Sequence, residues 1–100
     1  MVSISVVLRR EQGSDVRRLT VPYEPPKAAW DAAIHPLLAG VDPDGNAIFN
    51  ARQMRAVHEE ASRLLDQTLN PAEREGLIGI VELCDEGQRP PHQYLWFVGD

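Results

Sequence analysis

Three groups of residues carry types and spacings that chemistry could use. Asp42-x-Asp44-x-Asn46 presents alternating oxygen ligands, as a calcium loop does. Such a loop also needs Gly at its sixth position and a bidentate Glu at its twelfth. Counted from Asp42, those positions are Ala47 and Gln53, and Gly45 falls two places early. His58-Glu59-Glu60-Ala61-Ser62 opens like the zinc-protease helix, in which two His one turn apart share a metal. Ser62 stands where the second His belongs. Cys84 and His92 supply the residue types of a nucleophile and its base. Cys84, however, lies on an apolar stripe, where a thiol is usually inert core. His35, beside Pro36, has no evident partner and reads as a surface or helix-end residue.

No glycine-rich phosphate loop, GxSxG elbow or CxxC pair occurs, so no residue is assigned as catalytic and no cofactor or metal is expected. Glu59-Glu60, with Glu82, Asp85 and Glu86, read as solvated helix faces. Catalytic carboxylate pairs need a shared cleft that drives their pKa values apart. An acidic surface for docking a partner is the alternative use of such residues. Trp30, Tyr94, Trp96 and Phe97 could stack on bases, but at these positions they read as core.

The elements that position these residues follow from periodicity. Val2 to Leu8 alternates as a strand, and Val16 to Val21 is a weaker second strand that would close a hairpin across Glu11–Asp15. Pro22-Tyr23-Glu24-Pro25-Pro26 is a stiff connector. Lys27 to Ala39 reads as a short helix with Trp30, Ile34, Leu37 and Leu38 apolar, liable to break at His35 because of Pro36. Residues 40–46 are dense in turn formers.

Asn50 and Gln53 form the two halves of a capping box. From there Met54, Val57, Ala61, Leu64 and Leu65 trace one stripe of a helix over 51–69, with Arg52, Arg55, Glu59, Glu60, Arg63 and Asp66 on the other face. Asn70, Pro71 and Glu73 restart a helix over 71–86, with a strand over Leu77–Leu83 as the rival reading. Gln93 to Val98 alternates Tyr94, Trp96 and Val98 against Leu95 and Phe97. Being apolar on both faces, it belongs inside a sheet, paired with the first strand. The expected fold is a single α+β domain over residues 1–100. It has two or three antiparallel strands, from the N-terminal strand or hairpin and the C-terminal strand, with two or three helices on one face. The two long helices should form an αα-hairpin against the sheet.

Gly40-Val41-Asp42-Pro43-Asp44-Gly45-Asn46-Ala47-Ile48-Phe49-Asn50, with Gln53-Met54 and Tyr94-Leu95-Trp96-Phe97-Val98-Gly99-Asp100, resembles a group of small bacterial (actinobacterial) proteins. These share a G-x-D-P-x-G-x-x-x-F-N-x-x-Q-M segment and a closing aromatic strand. The resemblance covers about a fifth of the chain and implies no activity and no catalytic residue. A buried turn followed by a helix cap would require the same residues.

Composition narrows the function classes. The 100 residues are 43% hydrophobic and 25% charged, with a net charge of −5 and one cysteine. That composition suits a small globular domain and excludes a disulfide scaffold. The acidity opposes nucleic-acid binding. No stretch approaches the roughly 20 apolar residues that span a bilayer, and the apolar start lacks a basic leader region, so a cytoplasmic protein is expected. Nine of the ten basic residues are Arg, which fits GC-rich coding or, alternatively, bidentate recognition.

These features favour a protein-binding domain, such as an immunity or antitoxin-like inhibitor of another protein, docking through Asp42, Asp44, Glu59 and Glu60. The alternatives are a self-associating accessory domain (a homo-oligomer) and an enzyme or metal protein with a site at Asp42/Asp44 or Cys84/His92.

Overall fold

The computed structural model describes residues 3–99, so Val2 of the expected first strand and the closing Asp100 lie outside the described residues. Four strands form one antiparallel sheet: β1 (Ser5–Arg10), β2 (Asp15–Arg18), β3 (Asn46–Phe49) and β4 (Gln93–Val98). Their order is β2-β1-β4-β3. Two helices, α1 (Ala51–Leu65) and α2 (Pro71–Glu86), pack along each other and cover one face of that sheet. The architecture is the expected α+β arrangement with an αα-hairpin, plus one strand more at the β3 edge.

Burial explains the order. Val6, Leu8, Leu95 and Phe97 are all fully buried, and the pairings Val6↔Phe97 and Leu8↔Leu95 put them on one face. Met54, Val57, Ala61 and Leu64 from α1 and Leu77, Ile80, Leu83 and Cys84 from α2 close over them. Each large side chain so covered contributes about 1.5–3 kcal/mol. Phe97 is the hub, with Tyr23 and Phe49 both edge-on to it at 5.7 Å between ring centroids. β4, apolar on both faces, is central, as its pattern required.

The hairpin turn between β1 and β2 contains Gly13 at φ 97°, a left-handed conformation that suits glycine. Beyond Arg18 the second strand does not run on to Val21. The chain instead touches β1 at single points, with Leu19 N–H donating to Val6 O and Tyr23 exchanging two hydrogen bonds with Ile4. Gly76 lets α2 approach this return closely, since a Cβ there would sit 3.2 Å from Pro22 O.

The segment read as a helix over 27–39 is not one. Only two 3₁₀ turns form, at Lys27–Trp30 and Leu38–Gly40. Asp31 is extended, its side chain accepts the Ala33 N–H at 3.0 Å, and Pro36 lacks the donor that a continuous helix needs. Both helix N-termini carry full capping boxes, Asn50 with Gln53 and Asn70 with Glu73. α1 ends at Leu65 rather than 69, and 77–83 is helical rather than a strand. No helix among the described residues is long and apolar enough to cross a membrane.

Candidate functional site

The acidic loop is a closed turn. Asp42 Oδ1 accepts the Asp44 N–H at 2.8 Å, and Asp42 O accepts the Gly45 N–H at 3.2 Å. This is the Asx turn that Asp-x-Asp-Gly sequences favour, and it leaves the Asp42 and Asp44 carboxylates exposed beside β3. Gly99 N–H donates to Gly45 O at 2.7 Å, and a Cβ on Gly99 would collide with Pro43 O. The two segments that carry the sequence resemblance are therefore packed together. No group of three or more His, Cys, Asp and Glu among the described residues is arranged to hold a metal ion.

Glu59 and Glu60 separate. Glu59 is exposed. Glu60, expected on the charged face of α1, is only 4% exposed. Its Oε1 accepts the Leu38 N–H at 2.9 Å and its Oε2 the Leu37 N–H at 3.1 Å. Those donors open the second 3₁₀ turn, so a buried carboxylate caps backbone that would otherwise be unsatisfied. Glu60 is thus unavailable to a partner.

His35 is likewise fully buried rather than at the surface, with Nδ1 donating to Ala28 O at 2.9 Å. Tyr23 is buried near Glu60. Burial, and secondly the Glu60 charge, push its phenol well above the ordinary 10.0. Among the described residues, Tyr23 Oη and His35 Nε2 find no hydrogen-bond partner.

Cys84 and His92 do not meet. Cys84 lines the floor of a shallow cavity of about 290 Å³ between α1 and α2, with His58, Glu59 and Asp85 on its walls. His92 is exposed at the start of β4 and lines a different cavity. The structure instead brings His58 to Asp85, with Nε2 3.2 Å from Oδ1. Proximity to a thiol does not make this a nucleophilic site. Burial, and then the Asp85 charge, raise the Cys84 thiol to about 12, whereas reactive cysteines have lowered values.

The face of the sheet turned away from the helices is what the sequence reading missed. The pairings Val7↔Trp96, Ile48↔Trp96 and Arg9↔Tyr94 place these residues together on it. Tyr94 and Trp96, read as core, are only half-buried, and Ile48 is 47% exposed. The Arg9 guanidinium lies 4.7 Å from the centre of the Trp96 ring, a cation–π contact that keeps the aromatic partly covered. Arg9 also donates through Nε to Asp15 Oδ1 at 2.9 Å, and Arg18 reaches Oδ2 at 3.2 Å. These two cations hold the Asp15 carboxyl below its usual range. The alternation of Tyr94, Trp96 and Val98 was visible in the sequence. Val7 is covered there; that the β3–β4 part of this face is left partly exposed depends on both helices packing on the other side.

Comparison with known proteins finds no match: no family model, no curated protein and no solved structure.

Proposed function

We propose that this domain is a non-catalytic protein-binding module that docks its partner through the β3–β4 side of the sheet. The observation that carries the reading is the partly exposed strip formed by Ile48, Trp96 and Tyr94 on the face opposite the helices. Aromatic residues with a neighbouring Arg are the types enriched at the energetic centres of interfaces. Asp42 and Asp44, exposed at the rim beside β3, supply charge that guides association more than it adds affinity. Glu59 stands on the helix side and Glu60 is inside, so neither belongs to this surface. An inhibitor of the immunity or antitoxin kind is one form such a module takes.

An enzymatic use of the Cys84 cavity is the less favoured reading, because the thiol is held protonated. The test is affinity capture from the host lysate with the wild type and with Ile48→Asp and Tyr94→Ser. A stoichiometric partner retained by the wild type and lost by both variants supports the reading. Equal capture by all three overturns it.

A further inference from the structure

The two edges of the sheet differ in kind. β2 presents Asp15, Arg17 and Arg18, the charged composition that keeps an exposed edge from pairing. β3 presents Asn46-Ala47-Ile48-Phe49, with no charge at all. Gly99 N–H reaches Gly45 O, and β3 pairs Asn46↔Val98 and Ile48↔Trp96. Antiparallel alternation then aims the backbone groups of Ala47 and Phe49 at β4 and those of Asn46 and Ile48 outward. Among the described residues, no other segment receives them.

We propose that this edge pairs with the same edge of a second copy of the chain, antiparallel, about a two-fold axis at Ala47. The inference rests on the reading of the β3–β4 side as a docking surface and names its occupant. In this register Asn46 lies opposite Ile48 of the other copy, and the reverse. The four outward N–H and C=O groups of each strand are satisfied, and the two sheets join into one of eight strands. A two-fold contact is self-complementary, so every feature must find its own counterpart.

The charges meet that condition. The loop before β3 carries Asp42 and Asp44, both exposed, and α1, which follows β3, opens with exposed Arg52 and Arg55 and no acid in its first turn. Antiparallel pairing sets residue 44 of one copy opposite residue 50 of the other. The acidic loop thereby faces the positive end of the partner's helix and its arginines. The chain carries a net charge of −5, so a second copy is repelled everywhere except where such opposite patches meet. The contact is short, which makes the dimer a weak one, with dissociation on the order of 100 μM.

Sedimentation velocity and light scattering across a range from about 10 μM to 1 mM test this, a range set by that affinity. The wild type should pass from one copy to two. Ile48→Pro removes an outward-facing donor together with the exposed Ile48 side chain, at a position where proline is tolerated at a sheet edge. It should stay monomeric with an unchanged circular dichroism spectrum. Should that variant fail to fold, Ile48→Lys decides the matter in the same way. Asp42→Arg should weaken the dimer about tenfold, and Arg52→Asp in the same chain should restore it.

A wild type that remains monomeric at the top of the range, or an Ile48→Pro protein that dimerises as the wild type does, overturns the proposal. A monomeric wild type that nevertheless captures a partner lost with Tyr94→Ser removes the second copy as occupant and leaves the docking surface standing. Lysate capture that is equal in wild type, Ile48→Asp and Tyr94→Ser removes the docking reading itself.

Discussion

Glu60 accepts the backbone N–H of Leu38 at 2.9 Å across 22 positions of sequence, so a carboxylate in the middle of α1 anchors the second turn of the 27–40 segment. The same carboxylate takes the Leu37 N–H, and both oxygens point away from solvent. Hydrogen bonds to a charged group contribute about 1.5–3 kcal/mol each.

Glu60→Gln turns one of the two acceptors into a donor facing a donor. The expected loss is about 2–4 kcal/mol, from one broken bond and one N–H left buried. Urea unfolding at neutral pH measures it. A loss below about 0.5 kcal/mol, the level of an ordinary surface change, would mean the segment is held by its apolar contacts alone.

Tyr23 offers the opposite case. Its hydroxyl is buried with no partner among the described residues, so Tyr23→Phe removes an unsatisfied group and keeps the ring against Phe97. Stability should be unchanged or rise by up to about 1 kcal/mol. A drop of more than that would show that the hydroxyl is satisfied in solution.

Cys84 sets the alkaline behaviour. The folded thiol is held protonated to about 12, while the unfolded thiol ionises near 9.0. Between those values the folded state binds more protons than the unfolded state, so stability is complete below about pH 9 and declines as pH climbs toward 12. Tyr23, raised from 10.0, acts in the same direction from about pH 10 upward. Unfolding curves at pH 8 and pH 10.5 should show the decline, and Cys84→Val should make it shallower. At pH 8 the native thiol should resist iodoacetamide and react only once urea unfolds the chain. Rapid native labelling would contradict the burial.

Gly99 is the sharpest steric constraint. A Cβ there would collide with Pro43 O and come within 2.7 Å of Gly45 O, both rigid backbone. Gly99→Ala should cost about 1–3 kcal/mol, the usual range for forced overpacking. A thermal melt compared with the wild type reads it, and a midpoint within 1 °C of the wild type would show that the loop yields freely.

Local signals were the legible ones. Asn50 with Gln53, and Asn70 with Pro71 and Glu73, announced both helix starts because a cap is satisfied within four residues. β4 announced its central place through apolar character on both faces. What escaped depends on distant partners. Glu60 sits one position beyond Glu59 and looks identical in sequence; only the backbone of Leu37 and Leu38 draws it inward. His35 is buried because Ala28 O lies within reach of its ring. β3 is four residues squeezed between a turn and a cap, too short for alternation to register. In residues 27–39 the spacing of Trp30, Ile34, Leu37 and Leu38 imitates a helix, yet Trp30 and Ile34 are exposed. The candidate docking face followed the same rule: its residues were legible, and its exposure was not.

The pairing of β1 with β4, from Ser5↔Val98 to Arg10↔Gln93, imposes an order of events on a chain emerging from the ribosome. β1 and β2 can meet early, but a lone two-stranded hairpin is marginal in water. α1 and α2 can then fold on each other, while their apolar stripe still lacks the sheet that will cover it. Only when β4 has joined β1 do Val6, Leu8, Leu77 and Ile80 gain a common interior. Until that pairing forms the future core stays open to other molecules, and its central contacts join residues about ninety positions apart, from Ser5 to Val98, the circumstance that slows folding.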